Sequence, residues 1–435
     1  MLSSDVSRMK RIVLVGGGHA HVQVIKALNR YSRPKEIHVT LIDLQSAATY
    51  SGMLPGCIAK LYSMEQTQIQ LAPLAEWAGI DFFQGEVVDV DPVVKKVVCK
   101  AKDGGVHEVC FDVISMDIGS TCRGLGEKDG EVGDQSWRKH VIPTRPVSDL
   151  AKRIADAEQL LQTSTKSPPE INVVVVGGGA AGIELAFAMR ARWVKYAPDI
   201  TVTILDAGAE LLPNENFNCR ATLKQAMSDS HIKVLPTSVV KRVTPKQLVL
   251  QDGQTIPFTH CLWATGAAAH PLASQALRKR GIAISDQGWI RVSPSLQSLS
   301  HDCIFAAGDC ATIELPSGQA SPPKAGVYAV RAGPILIQNL VAYLCGGPLV
   351  SFTPQEDFLR LLMCGDGTAI GFRFGIAMRG KWVWYLKDQI DQNFMSLFAK
   401  ENLPVLEEGA LYDTSQYDAS DENEVVRRID PQEAA

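Results

Sequence analysis

The chain carries one strand–turn–helix signature twice, and this repetition restricts the fold more than any other feature. The apolar run Arg11–Val15 ends in Gly16-Gly17-Gly18, a helical pattern follows from about Ala20 to Asn29, and His38–Asp43 reads as the next strand. The unit returns as Ile171–Val176, then Gly177-Gly178-Gly179-Ala180-Ala181-Gly182, an apolar helix through about Tyr196, and the strand Thr201–Leu205 before Asp206. A glycine turn between a strand and a helix lets a pyrophosphate reach the backbone at a helix N-terminus. Two such units predict an α/β chain with two Rossmann-like dinucleotide-binding domains.

The second turn is complete. Gly177, Gly179 and Gly182 satisfy the G-x-G-x-x-G spacing: one glycine for the tight turn, one for phosphate approach, one for close helix–strand packing. Asp206 stands where a carboxylate accepts hydrogen bonds from ribose hydroxyls and repels a 2′-phosphate. This favours NADH over NADPH. The first turn keeps Gly16 and Gly18, with Asp43 at the ribose position, but His21 replaces the third glycine. A looser or shifted helix–strand contact is expected there. His19, Ala20 and His21 open the helix. The two histidines lie at i, i+2, on different faces of a helix, so packing or a contact to cofactor phosphates is favoured over a metal site, and no metal is expected.

A third apolar strand, Cys303–Ala307, ends in Gly308-Asp309. In two-dinucleotide flavoproteins this element places a carboxylate on the ribityl chain of FAD. Met116-Asp117-Ile118-Gly119-Ser120 and Trp263-Ala264-Thr265-Gly266 have the form of crossovers between two dinucleotide domains. The order of these strand ends assigns FAD to the first loop and a nicotinamide nucleotide to the second.

With these motifs in place, the chain resembles the pyridine nucleotide-disulfide oxidoreductase superfamily, and within it type II NADH dehydrogenases and sulfide:quinone reductases. It is more similar still to a flavoprotein module found fused to selenophosphate synthetase. That likeness rests on Gly16–Val22, Tyr50–Gly56, Pro323–Arg331, Gly380–Trp384 and Leu386–Asp388. The resemblance implies that Asp309 holds the ribityl chain. It implies that Lys324-Ala325-Gly326 begins a helix whose positive end faces the flavin pyrimidine. Ser51, Gly52 and Pro55 would line the flavin, where disulfide reductases keep a redox cysteine pair. Only Cys57 is present there, so a dithiol mechanism is not supported. Glu184, just inside the second glycine-loop helix, meets the nicotinamide side in related enzymes; a capped carboxylate of the first turn is the alternative. Hydride transfer to flavin N5 needs no side chain as acid or base, so Glu184 and Cys57 are candidate catalytic residues only.

The expected activity is FAD-dependent oxidation of NADH, or of NADPH, with electrons passing to a quinone or another small acceptor. Two alternatives are kept. One is a sulfide:quinone-type or selenium-linked reductase using cysteines such as Cys122, Cys310 and Cys364. The other is an NADH/FAD-dependent redox-sensing binding module acting through its acidic tail.

The expected domains are 1–145 with 267–345 for FAD, split in sequence by 146–266 for NAD(P)H. A C-terminal α+β domain at 346–403 and a disordered acidic tail at 404–435 complete the chain. A net charge of −4 argues against a nucleic-acid partner. The ten scattered cysteines read as buried thiols in a reducing compartment. Met1–Lys10 has no apolar h-region, so a secretory signal is not expected, although a short organelle-targeting segment fits. No uninterrupted apolar run is long enough to span a bilayer. The expected location is therefore cytoplasmic or organellar, soluble or peripheral to a membrane. Trp382, Trp384, Tyr385, Ile390, Phe394, Leu397 and Phe398, interleaved with Lys381, Lys387 and Lys400, suggest a membrane-interface helix over 382–398. The competing reading docks that helix on the flavin domain or on the second subunit of a homodimer.

Overall fold

The computed structural model describes residues 9–124, 141–162, 170–355 and 357–406. The expectations for the 163–169 linker and most of the acidic tail lie outside the described residues. Strand β1 (Lys10–Val15) leads through the glycine turn into helix α1 (His19–Ala27) and strand β2 (Ile37–Asp43). Helices α2 (Leu54–Ile58) and α3 (Leu71–Ala78) follow, then strands β3 (Asp81–Asp91), β4 (Lys96–Ala101), β5 (Val106–Cys110) and β6 (Val113–Met116). The second unit comprises β7 (Val141–Pro143), α4 (Val147–Gln162), β8 (Asn172–Val176), α5 (Ala180–Trp193), β9 (Thr201–Leu205), α6 (Phe217–Asp229), β10 (Ile232–Leu235) and β11 (His260–Trp263). The chain then returns to the first sheet through β12 (Ile304–Ala306) and α7 (Gly326–Cys345). It closes with β13 (Arg360–Met363), β14 (Ala369–Arg373), β15 (Ile376–Gly380) and α8 (Lys381–Ser396).

The first sheet has the order β12-β6-β1-β2-β3-β4-β5. Its first five strands run parallel, and β3, β4 and β5 pair antiparallel. The second sheet, β7-β11-β8-β9-β10, is wholly parallel. In both, the glycine turn follows a central strand whose chain neighbours lie on opposite sides. This is the switch point where a doubly wound sheet opens a crevice for a ligand. Central strands buried on both faces need continuous apolar sequence; Ile12–Leu14 and Val173–Val175 are fully buried.

Helix α7 is long and apolar enough to cross a membrane by length and composition. Arg331, Gln338 and Asn339 interrupt it, however, and Ala332, Gly333, Leu336, Asn339 and Leu340 are buried. It serves as a core helix: Val330 O accepts Gln23 Nε2–H from α1, and Asn339 Nδ2–H donates to Ser295 O and Val350 O.

A buried ion pair within the second unit reaches across to the first. Arg192 of α5 donates to Glu158 of α4 through Nη2 at 2.6 Å and to Ile58 O of α2 at 2.9 Å. Lys60 Nζ completes the carboxylate's partners at 2.9 Å. Full pairing is what makes buried charge tolerable here.

The third, antiparallel sheet, β13-β14-β15, carries α8. Val383, Leu386 and Met395 of α8 are buried, Trp384 stacks on Tyr62 at 5.6 Å and Phe394 on Tyr50 at 4.9 Å. Most of the aromatic series therefore docks on the first unit, against Tyr50 and Tyr62. Trp382 and Tyr385, 48% and 61% exposed, do not.

Candidate functional site

The first glycine turn is shaped by contact. Gly16 has φ +89°, and a Cβ on it would lie 2.3 Å from Asp117 O. Asp43, at the end of β2, accepts Gly17 N–H at 2.5 Å and Gln45 N–H at 2.6 Å. Burial raises its carboxyl pKa, and these two N–H bonds oppose the rise. Asp117, just past β6, accepts Ala20 N–H at 2.9 Å and His21 N–H at 3.2 Å. Ser120 Oγ–H donates to Asp309 at 2.9 Å, and Arg145 Nη1 donates to the same carboxylate at 2.5 Å. Sequence reading did not single out Arg145 or Ser120; no local pattern announces a pair so distant along the chain.

His21 does not loosen the turn, contrary to expectation. Its Nδ1 lies 2.6 Å from Gly16 O and its Nε2 lies 2.8 Å from Ser115 Oγ. A carbonyl only accepts, so Nδ1 carries the proton and Nε2 accepts from the Ser115 hydroxyl. Burial lowers the His21 pKa to about 4, leaving the ring neutral. His19 is lowered to about 4 by burial as well, and packs edge-on against Tyr50 at 5.2 Å. Among the described residues, no group of three or more His, Cys, Asp or Glu gathers as for a metal.

Asp43, Gly16–Gly18, Asp117 and Asp309 thus lie at the C-terminal ends of four neighbouring strands, β2, β1, β6 and β12. They line a cavity of about 400 Å³ with His19, Ser51, Gly119, Gly326 and Ala329. The arrangement fits FAD: backbone approach at the turn, a carboxylate at each end, and the start of α7 on the wall. Lys324 is turned elsewhere. Its ammonium donates to Ala311 O and lies 4.6 Å from the Trp289 ring centre. With Ala325 and Gly308 it lines a smaller cavity of about 30 Å³ that shares Asp309. Ala20 is buried and contributes its N–H to Asp117, and Pro55 is buried in α2.

The second turn is tighter. A Cβ on Gly177, φ +112°, would lie 2.2 Å from Ala264 O, and one on Gly182 would lie 2.0 Å from Gly177 O. Gly179 caps α5 and has nothing near its missing Cβ, so the approach is open. Asp206 lies at the end of the adjacent strand, its Cγ 2.8 Å from the position of a Gly178 Cβ. On the other side Thr265 Oγ1 donates to Arg123 O at 2.5 Å, and Gly266 turns at φ +98°.

Glu184 accepts Met363 N–H from β13 at 3.0 Å. Burial lifts its pKa to about 7, against the pull of Lys387. Lys387 of α8 donates to Asp391 at 2.7 Å and to Gly52 O at 2.8 Å, and both ionic side chains are 7% exposed. Burial alone would lower the Lys387 pKa; Asp391 and Glu184 outweigh it and raise the value. The Lys387 ammonium thus ties α8 to the Gly52 loop and acts electrostatically on Glu184 of α5. An i, i+4 Lys–Asp pair reads in sequence as a solvated helix face, which is why this junction was missed.

All ten cysteines are free thiols. Cys57 points at Met64 Sδ, 3.9 Å away, and burial raises its pKa. Burial also pushes Cys310 and Cys364 up to about 12. Thiols so held are poor nucleophiles at neutral pH.

Comparison with known proteins agrees with this geometry. The profile of the pyridine nucleotide-disulphide oxidoreductase family matches residues 10–333. A type II NADH:quinone oxidoreductase of Haemophilus influenzae is 23% identical over 426 residues, spanning 87% of this chain and 91% of its own. A demethylphylloquinone reductase of Synechocystis is 27% identical over 388 residues, spanning 85% and 88%. Among solved structures, the sulfide:quinone oxidoreductase of Aquifex aeolicus superposes with a TM-score of 0.71 at 18% identity, covering 91% of this chain and 92% of that one.

Proposed function

Because the chain belongs to the pyridine nucleotide-disulphide oxidoreductase family, we propose that it is an FAD-dependent NADH oxidoreductase that delivers electrons to a quinone. The relatives named for NADH:quinone and demethylphylloquinone reduction support this acceptor class. FAD, when bound, would supply the hydride and electron chemistry. The protein orients the partners and excludes water. Gly16–Gly18, Asp43 and Asp309 would hold FAD. Gly177, Gly179 and Asp206 would hold the nicotinamide nucleotide, with the Asp206 carboxylate selecting NADH over NADPH.

The observation that carries this reading is the meeting at Lys387. Its ammonium touches Gly52 O of the flavin-side loop and acts on Glu184 of the nicotinamide-side helix. This shared charge supports reading the two glycine-turn units as halves of one site. The purified protein should be yellow and should bleach with NADH in the absence of oxygen. A colourless protein that takes up no FAD would overturn the proposal. Turnover with a quinone analogue, but not with a disulfide or sulfide, is the expected acceptor profile.

Peripheral membrane contact, in this reading, is confined to the exposed start of α8. Trp382 and Tyr385 present aromatic rings beside exposed Lys381, a combination suited to an anionic lipid interface. Trp382→Ser with Tyr385→Ser should abolish cosedimentation with anionic vesicles while leaving NADH-driven bleaching intact. Equal cosedimentation of variant and parent would remove this contact.

A further inference from the structure

We propose that Asp117 contacts the diphosphate of FAD as a neutral carboxylic acid, so that cofactor loading takes up one proton from solvent. The inference rests on the FAD reading given above. Asp117 is 4% exposed and lines the cavity beside the glycine turn. Its Oδ2 accepts the Ala20 and His21 N–H groups. These are donors that the start of α1 would otherwise offer to an anion. Its Oδ1 forms no hydrogen bond among the described residues. The backbone closes around that oxygen: a Cβ on Gly18 would lie 2.4 Å from it, and one on Gly308 would lie 2.5 Å from it. The carboxyl thus fills the space that these two glycines leave open beside the turn.

Charge decides its form. Asp43 and Asp309 face the same cavity, and Arg145, which lines it too, is already bound to Asp309 and Ser120. A diphosphate adds two negative charges to this set. The least costly relief is protonation of the most deeply buried carboxylate. Asp117 is already raised to about 7, by burial first and then by Asp309 and Asp43, with the two N–H bonds opposing. The other groups facing it do not compete near neutral pH. His19 and His21 are held near 4, and the Cys310 thiol is pushed up to about 12. Lys324 is committed to Ala311 O. A proton on Oδ1 converts a repelling oxygen into an O–H donor to phosphate while Oδ2 keeps both N–H bonds.

The test is FAD binding to the full chain stripped of cofactor, followed by flavin fluorescence and by calorimetry. At about pH 8, calorimetry in two buffers of different ionisation heat should show uptake of close to one proton; zero uptake overturns the proposal. Affinity should be level below about pH 7 and fall by up to about tenfold per pH unit above it. Asp117→Asn keeps an acceptor for Ala20 and His21 and carries a permanent N–H in place of the acid O–H. It should bind FAD with an affinity independent of pH. An unchanged pH slope in this variant, or a flat profile in the parent chain, overturns the inference while leaving FAD binding established. Failure to bind FAD at every pH overturns both the inference and the proposed function.

Discussion

In the second glycine loop, Gly182 comes so close to the Gly177 carbonyl that a Cβ would sit 2.0 Å from its oxygen. In the first loop the corresponding carbonyl, that of Gly16, receives the His21 Nδ1–H at 2.6 Å. One loop answers the crowding around this oxygen by having no side chain. The other supplies a donor and continues the bond to Ser115 on the neighbouring strand. The spacing rule thus describes a demand made by a carbonyl, and more than one residue can meet it. The first loop is bound to β6 and the residue after it by side chains, through Ser115 and Asp117; the second is bound to its neighbouring strand by backbone, through Gly177 N–H to Leu205 O.

The sharpest way to break this comparison is Gly182→Ala. The added methyl must displace backbone, so NADH affinity should fall by about a hundredfold while FAD content stays unchanged. Loss of both cofactors together would show that the loops are not independent. His21→Gly restores the spacing rule but removes the latch. It should destabilise the protein by about 3 kcal/mol, through two unpaired buried polar groups and a void, and should lower FAD retention. A thermal midpoint equal to the parent's would show that the histidine is incidental.

Glu184→Gln tests the second loop's link to α8. The Glu184 pKa is raised above its ordinary 4.5 to about 7 by burial. Its contribution to stability is therefore complete below about 4.5 and is lost as pH rises through 7. Glutamine has no charged form, so the variant should gain on the parent with rising pH, reaching about 3 kcal/mol in alkaline solution. A stability difference constant from acid to alkaline pH would remove burial as the cause. The smallest effect is expected of Asp206→Ser with Ala207→Arg. Preference should move toward NADPH by about 1 kcal/mol, some fivefold, read as the ratio of kcat/KM values.

Much of the fold was legible because buried parallel strands leave an unbroken apolar record. Thr201–Leu205 stands as the residues suggested. Strand β15 was not anticipated, and its turn explains why. Arg373 pairs with Ile376, so Phe374 and Gly375 alone form the hairpin loop, with φ +48° and +74°. Such a turn normally announces itself with Asn-Gly or Asp-Gly; a phenylalanine in the first position conceals it. In the candidate site, Gly16, Gly18, Asp43, Asp117 and Asp309 were legible because each ends a strand of the same sheet. Arg145 and Lys387 were not, because their partners lie far along the chain.

The position of Lys387 also bears on how the molecule is made. Domains emerge and fold from the N-terminus during synthesis, so both glycine turns are available before the ribosome reaches α8. Until that helix docks, Glu184 can accept the Met363 N–H of β13 but lacks the Lys387 ammonium. A polypeptide cut short between α7 and α8 would carry both glycine turns and Asp309 without the Lys387 contact to Gly52 O. Helix α8, through Lys387, is thus a late-synthesised clasp on the Gly52 loop.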